Sequence, residues 1–107
     1  MGCGRIGATV ATALWKEGHQ VTVLDLDPDN FLRLPQTMRE LEGATLVGDG
    51  TVSEDLVRSG IQNADVFVAV DLRDSRNAMA AQKAQHIFKV SRVVCRIGDP
   101  GRQEMYE

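Results

Sequence analysis

A glycine-rich segment at the start of the chain constrains the fold more than any other feature. Gly2, Gly4 and Gly7 have the spacing G-x-G-x-x-G and stand directly before an amphipathic helical pattern. In such a loop the first glycine permits a tight turn, the second lets a phosphate group approach the backbone, and the third lets the helix pack closely on a sheet. The free amides at the helix N-terminus favour an anion. On its own this spacing also fits a plain turn.

The residues that follow the loop separate these two interpretations. Apolar residues recur at helical spacing over residues 5–17, and Gly18 stands where a left-handed residue would end the helix. Residues 21–24 form a short β-branched run, and Asp25 follows it, 21 positions after Gly4. Loop, helix, strand and acid together favour a nucleotide site over a plain turn.

The rest of the chain repeats the alternation of strand and helix patterns. Because strands that alternate with helices form parallel sheets through right-handed crossovers, we predict one doubly wound α/β domain over residues 1–107. Residues 66–70 are all apolar, which predicts a central strand covered on both faces. The other predicted strands cover residues 44–47 and 93–97. The other predicted helices are a segment opened by Pro28 and short or kinked at Pro35, a segment with a capping box at 51–54 that ends at Gly60, an alanine-rich stretch at 75–88, and a helix that begins at Asp99 and Pro100.

Composition argues against two classes of partner. Twelve basic and 15 acidic residues give a net charge of −3, so no basic excess attracts nucleic acid or anionic lipid. The longest apolar run has five residues, far below the roughly 20 needed to cross a bilayer. Cys3 and Cys95 fit no metal-ligand spacing, and no apolar leader precedes them. We therefore expect a reduced, cytoplasmic setting without direct membrane insertion.

The position of the glycine loop within the chain is unusual. Such a loop should follow a strand, which in a doubly wound sheet is the central one, yet only Met1 precedes Gly2. We expect that residue 1 is not the natural start or that the chain is a fragment. The upstream DNA should then encode about four to six mostly apolar residues in frame.

Asp25 is the candidate ribose ligand. Its carboxylate would accept hydrogen bonds from the adenosine ribose and would repel a 2′-phosphate, which favours NAD over NADP. The alternative is that Asp25 only caps the helix at Pro28, although Asp27 is better placed for that role.

Two arginines are candidate anion ligands. Arg5 lies in the first turn of its helix, where the dipole disfavours a cation, so a bound phosphate or plain solvation must compensate it. Arg96 interrupts an apolar strand near its carboxyl end and would face either the ligand crevice or an ion pair with Asp71 or Asp99.

Further candidates follow the predicted strands, on the rim formed by their carboxyl ends. Asp49 would contact adenine or ribose, or serve only a turn, and Thr51 is at least a helix cap. Neither His19 nor His86 has a catalytic or metal-binding neighbour, so no catalytic or metal residue is predicted. The predicted cofactor site comprises Gly2, Gly4, Arg5, Ile6, Gly7, Asp25, Leu26, Asp27, Asp49, Gly50, Thr51, Val70, Asp71, Asn77 and Arg96.

Five motifs in this chain, taken together, resemble those of a known family. They are Gly-Cys-Gly-Arg-Ile-Gly, Val-Leu-Asp-Leu-Asp-Pro, Val-Gly-Asp-Gly-Thr, Asp-Ser-Arg-Asn-Ala-Met-Ala-Ala-Gln and Arg-Ile-Gly-Asp-Pro. In this order they resemble the TrkA N-terminal domain, also called RCK or KTN, the nucleotide-binding domain of cytosolic regulators of potassium uptake and conductance. The resemblance covers nearly the whole chain.

The resemblance implies a Rossmann domain that senses NAD(H) or an adenine nucleotide (ATP, ADP or AMP). Such domains act on a membrane potassium transporter or channel subunit as dimers or larger homo-oligomers. By motif position, the glycine loop with Arg5 would hold phosphate, Asp25 the ribose, and Asp49 with Thr51 the adenosine side. The chain departs from the family in lacking the first strand, the sixth strand and the C-terminal regulatory domain. Asp71 also stands where a small or hydroxyl residue is common, which disfavours a third phosphate.

Two other functions remain compatible with the sequence. One is the detached cofactor domain of an NAD-dependent oxidoreductase, although Tyr106 is the only tyrosine and no Tyr-x-x-x-Lys pair exists. The other is a generic adenine-nucleotide module of another transport or signalling protein. We expect a regulatory domain without enzymatic activity.

Overall fold

The first helix follows directly from its sequence. In the computed structural model, which describes residues 1–98, helix α1 spans Arg5–Lys16, close to the predicted bounds. Gly18 has φ +97° and ends the helix as predicted, because its N–H donates to the Trp15 carbonyl at 3.0 Å. The His19 N–H donates to the Leu14 carbonyl at 3.2 Å, which completes a Schellman motif.

The predicted kink at Pro35 is confirmed. A 3₁₀ helix, Pro28–Arg33, precedes the short helix α2, Gln36–Arg39, and Pro35 separates the two. Strand β1 is Val23–Asp25, β2 is Thr45–Val47, β3 is Val66–Ala69 and β4 is Arg92–Cys95. Helix α3 is Ser53–Arg58, a second 3₁₀ helix is Ile61–Asn63, and α4 is Asp74–Gln82, continued by a π-helical turn over Lys83–Ile87.

The strands pair in parallel, as the alternation predicts. Strand β1 pairs with β2, with Leu24 opposite Leu46, and β3 pairs with β4, with Val68 opposite Val94. The fold is therefore the predicted α/β type with parallel strands.

Met1 and Gly2 join the two strand pairs. The Gly2 N–H donates to the Leu24 carbonyl at 2.8 Å, and Met1 donates from its nitrogen to the Val68 carbonyl at 2.8 Å. The Val70 N–H donates to the Met1 carbonyl at 2.9 Å. The backbone ahead of the glycine loop thus lies between β1 and β3, where a doubly wound sheet places its central strand.

Helices cover both faces of this layer. Successive β1 residues point to opposite sides, so Val23 and Leu24 belong to different core clusters. The first cluster packs α1, the 3₁₀ helix and α2 on one face, and the second packs α3 and α4 on the other. Each cluster has a large side chain that is fully buried: Met38 in the first and Leu56 in the second.

Three predictions about elements need correction or lie outside the described residues. Val66 is 47% exposed, and Val68 and Val70 are only half-buried, so the predicted burial of every residue in the run 66–70 is wrong. The alanine-rich helix begins one residue earlier than predicted and changes to the π-helical turn at Lys83. The helix predicted at Asp99 and Pro100 falls outside the described residues. None of the helices within residues 1–98 is long and apolar enough to cross a membrane.

Lys83 ties α4 to the segment that precedes α3. Its Nζ donates to the Thr51 carbonyl at 2.7 Å and lies 3.3 Å from the Ser53 hydroxyl oxygen.

Candidate functional site

A cleft of about 300 Å³ opens at the carboxyl ends of β1 and β3. This is the edge at which open parallel sheets bind ligands. Seven of the predicted site residues line it: Gly2, Gly4, Asp25, Leu26, Gly50, Val70 and Asp71. Seven further residues line it without having been predicted: Met1, Leu24, Asn30, Gly48, Leu72, Arg73 and Arg76.

The three glycines of the loop differ in whether the surrounding structure leaves space for a side chain. Gly2 has φ +101°, and a Cβ there would lie 2.8 Å from the Asp71 nitrogen. A Cβ on Gly7 would collide with the Gly2 carbonyl oxygen, because α1 starts against the loop. Gly4 has an ordinary φ of −74°, and a Cβ there would meet no heavy atom within 4 Å. Packing therefore requires Gly2 and Gly7, whereas the space beside Gly4 is open to the cleft.

The start of α1 faces this space without a side-chain cap. Gly4 is the N-cap residue, and the first turn of the helix carries no acidic residue. Helix N-termini leave several N–H groups without intrahelical partners, and these together with the dipole attract anions. The loop therefore offers backbone donors to a phosphate group.

Asp25 holds the loop against the end of β1. Its Oδ2 accepts the Cys3 N–H at 2.7 Å, and its Oδ1 accepts the Asp27 N–H at 2.8 Å and the Asn30 amide at 3.1 Å. A carboxylate offers about four lone-pair sites, so one remains for a ligand hydroxyl. The cap of the 3₁₀ helix is Asp27, which accepts the Asp29 N–H at 3.0 Å. Asp27 therefore takes the capping role considered for Asp25.

Cys3 packs within the first core cluster. The residue is fully buried, and its Sγ lies 3.3 Å from the Asn30 carbonyl oxygen. Burial and the nearby Asp25 carboxylate raise the pKa of the Cys3 thiol, which keeps it protonated.

The opposite wall of the cleft carries an ion-pair bridge. The Arg76 Nε donates to Asp71 Oδ2 at 2.8 Å, and its terminal NH2 group donates to Asp49 Oδ1 at 2.7 Å. Partial burial opposes the charged guanidinium, but the hydrogen bonds to Asp71 and Asp49 raise the pKa of Arg76 above its ordinary value. Burial likewise opposes the Asp49 charge, yet hydrogen bonds from Thr51 and Arg76 lower the pKa of that carboxyl. Arg76 and Asp49 are therefore both charged at neutral pH.

Thr51 serves this bridge and does not cap α3. Its N–H and hydroxyl donate to Asp49 Oδ1 at 2.8 and 2.7 Å. Helix α3 begins at Ser53 with Val52 as its N-cap and has no side-chain cap. The predicted capping role of Thr51 is wrong because the helix begins two residues after Thr51, and Val52 is its N-cap. Both Thr51 and Asp49 lie behind the residues that line the cleft.

Asn77 clamps the ends of two strands. It is fully buried; its Oδ1 accepts the Asp71 N–H at 2.7 Å, and its Nδ2 donates to the carbonyls of Asp71 at 2.8 Å and Arg96 at 3.1 Å. Asn77 therefore fixes the Asp71 backbone from behind the cleft. The ion-pair partner of Asp71 is Arg76 and not Arg96, and Asp99 falls outside the described residues.

Comparison with known proteins identifies the family. The whole chain, residues 1–107, matches the model of the TrkA-N domain. The chain belongs to the TrkA-N family. It is 41% identical over 107 residues to the Trk system potassium uptake protein TrkA of Streptomyces coelicolor. It is 35% identical over 107 residues to the TrkA homologue of Pyrococcus abyssi, and 32% identical over 97 residues to the TrkA protein of Halomonas elongata.

The matches differ in how much of each relative they cover. They cover all of this chain but only 47% of the Streptomyces protein and 46% of the Pyrococcus protein. For the Halomonas protein they cover 91% of this chain and 21% of the relative. The chain thus spans about half the length of the first two relatives.

The remaining predicted residues of this TrkA-N domain lie around the cleft and do not line it. Arg5 and Ile6 are exposed on the first turn of α1, and within residues 1–98 Arg5 makes no ion pair. The same described residues contain no group of three His, Cys, Asp or Glu side chains that could hold a metal ion.

Arg76 is the main residue that sequence analysis missed. It stands inside one of the family-like motifs, one position before Asn77, but no local pattern marks it as a partner of Asp49, 27 residues away. The signal that could have found it is its position. Arg76 lies in the first turn of α4, directly after the loop that carries Asp71, so a pairing with an acid at the carboxyl ends of the strands could have been expected.

Proposed function

We propose that this chain is the nucleotide-binding domain of a regulator of potassium uptake, and that its cleft binds NAD(H) or an adenine nucleotide. The observation that carries the proposal is Gly4. This residue lines the cleft, has a backbone conformation open to any amino acid, and borders empty space. A glycine there serves close approach by an outside group, which is the role of the second glycine in a phosphate-binding loop.

The other donors and acceptors suit the same ligand. The uncapped start of α1 and the Arg5 side chain would bind the phosphates, and the remaining Asp25 lone pair would accept a ribose hydroxyl. Gly48 and Gly50 line the cleft beside the end of β2, where the adenosine side would lie. Asp49 and Thr51 would act there through the backbone they shape, since their side chains bind each other and Arg76.

The regulatory role rests on the relatives. Those at 41% and 35% identity are named as Trk system potassium uptake proteins, and TrkA-N is a nucleotide-binding domain family. We place this chain on the cytoplasmic side of a membrane potassium transporter or channel, acting as a homo-oligomer without catalysis. Occupancy of the cleft would then shift a conformational equilibrium, which requires unequal ligand affinity in the two states.

Titration with NADH and NADPH by calorimetry tests the ligand assignment. We expect NADH to bind more tightly by about tenfold or more, because the Asp25 carboxylate repels a 2′-phosphate. The variant Asp25→Asn should narrow this difference, and Asp29→Asn, a matched change on the exposed 3₁₀ helix, should leave it unaltered. Equal affinity of the unchanged chain for the two dinucleotides would refute the role of Asp25, and a folded chain that binds no nucleotide would refute the proposed function.

A further inference from the structure

Lys83 directs a positive charge at uncharged partners. The residue is half-buried, and its ammonium group donates to the Thr51 carbonyl at 2.7 Å and lies 3.3 Å from the Ser53 hydroxyl oxygen. Within residues 1–98 Lys83 makes no ion pair. Because hydrogen bonds from a charged donor are shorter and stronger than neutral ones, this contact fixes the position of the Thr51 carbonyl.

Helix α4 and its continuation hold Gly50 from both sides. Arg76 donates to Asp49 Oδ1 at 2.7 Å, one residue before Gly50, and Lys83 donates to the Thr51 carbonyl, one residue after it. Glycine has no side chain that restricts its own backbone, so a contact on one side alone would leave the Gly50 peptide free to rotate. Both contacts are therefore needed to fix Gly50.

Gly50 in turn connects the held segment to the glycine loop. It lines the cleft and lies against the Met1 side chain, since a Cβ added at Gly50 would collide with that side chain. Met1 packs against the second core cluster, and its backbone leads directly into Gly2. A contiguous set of contacts therefore joins the Lys83 ammonium group to the start of the glycine loop.

The backbone of Lys83 lies where α4 changes its geometry. The π-helical turn Lys83–Ile87 begins at this residue, and the Phe88 N–H donates to the Lys83 carbonyl at 3.1 Å. Lys89, two residues after the turn, has a φ of +56°, in the left-handed region that favours glycine. Single π-helical turns are rare and occur frequently at functional sites. Lys83 thus joins an uncommon backbone turn to the segment that borders the cleft.

We propose that Lys83 is a positioning residue for the cleft. Its contact with Thr51 holds Gly50 against Met1 and thereby fixes the start of the glycine loop, so a nucleotide bound at the loop stabilises this contact and the π-helical turn behind it. Coupling between a ligand and a contact is reciprocal, and loss of the contact therefore weakens nucleotide binding. This inference rests on the proposed nucleotide function and adds a route by which occupancy of the cleft changes α4.

Calorimetric titration with NADH tests the effect on affinity. Lys83→Met keeps the length of the side chain and removes the ammonium group. We expect about fivefold weaker binding, less than the tenfold or more expected for loss of a direct charge-assisted contact with the ligand. Lys83→Arg retains a cationic donor and should bind within about twofold of the unchanged chain. Lys89→Met removes an exposed charge just beyond the same turn and should leave the affinity unaltered.

Hydrogen exchange distinguishes positioning from a purely structural role. In the unchanged chain, saturating NADH should slow exchange of the Phe88 and Val90 amides, which do not line the cleft and donate to the carbonyls of Lys83 and Ala84. In Lys83→Met, NADH should still protect the glycine-loop amides but should no longer change exchange at Phe88 and Val90. A lysine that served the fold alone would alter exchange equally with and without NADH.

The outcomes separate this inference from the proposed function. Unchanged NADH affinity in folded Lys83→Met would overturn the positioning role, and an equal loss of affinity in Lys89→Met would overturn it by assigning the effect to net charge. If Lys83→Met does not fold, the unchanged chain decides, because exchange at Phe88 and Val90 that is the same with and without NADH would also overturn the role. A folded, unchanged chain that binds no nucleotide would overturn the proposed function itself.

Discussion

The two walls of the cleft are built in different ways. The glycine-loop wall consists of backbone, and its shape depends on the absence of side chains at Gly2 and Gly7. The α4 wall consists of side chains, and its shape depends on Arg76 and Asn77, which join segments distant along the chain. Gly2 and Gly7 lie five residues apart, whereas Arg76 contacts Asp49, 27 residues away, and Asn77 contacts Arg96, 19 residues away.

The largest effect should come from placing a methyl group in the glycine-loop wall. Gly7→Ala puts a Cβ against the Gly2 carbonyl, and we expect it to lower the free energy of unfolding by about 3 kcal/mol, the upper range for overpacking. Gly4→Ala should change that free energy by less than about 1 kcal/mol, because its Cβ meets open space, yet it should weaken nucleotide binding. Urea denaturation and calorimetric titration measure the two effects. Equal destabilisation by both variants would contradict the distinction drawn between these glycines.

A slightly smaller loss of stability should follow substitution of Asn77, the buried residue of the α4 wall. Asn77→Ala removes three buried hydrogen bonds and leaves the Asp71 N–H without its partner, which should cost about 2 to 3 kcal/mol. Gln82→Ala, near the end of the same helix, is the control for the substitution itself. Urea denaturation of both variants compares them directly, and an Asn77 variant as stable as the control would show that the clamp contributes nothing.

Substitution of Arg5 should change nucleotide affinity at the glycine-loop wall without lowering the stability of the fold. If Arg5 holds phosphate, Arg5→Ala should weaken nucleotide binding by about 1 to 3 kcal/mol, the range for a charge-assisted hydrogen bond. The unliganded fold should be no less stable, since a cation in the first turn opposes the helix dipole. Titration and thermal unfolding of the same preparation give both numbers. Unchanged affinity would contradict the phosphate-binding role and would mean that Arg5 is an ordinary exposed arginine.

The smallest effect should be a pH dependence of the stability that Arg76 in the α4 wall contributes. Because the folded-state pKa of Asp49 is lowered, its stabilising contribution is complete above the unfolded pKa of about 3.9 and is lost as the pH falls through the folded value. Arg76→Gln should therefore destabilise the chain by about 1 kcal/mol or less near pH 6. The difference from the unchanged chain, measured by urea denaturation, should shrink as the pH falls below about 3.9. A difference that stays constant over this range would show that the ion pair to Asp49 adds no stability.

Sequence analysis predicted the glycine loop and, in the α4 wall, Asp71 and Asn77, but it missed Arg76 for a physical reason. Helix α1, its end at Gly18 and the Asp27 cap depend on neighbours a few residues apart, so local spacing determines them. Thr51 has the local pattern of a cap as well, but α3 begins at Ser53 with Val52 as its N-cap, and the Thr51 hydroxyl donates to Asp49 two residues away. No local pattern encodes the contact of Arg76 with Asp49, because it forms only when α4 and the end of β2 come together in the fold.

Lys83 adds a second contact between α4 and the neighbouring segment, and this contact fixes the direction of the helix. It is the second tie between α4 and the segment 49–53, and it lies seven residues beyond Arg76, about 10 Å along a helix axis. A single tie would act as a pivot, but two ties at separate points also fix the direction of the helix. The two contacts therefore hold α4 to the segment 49–53 in direction as well as in position.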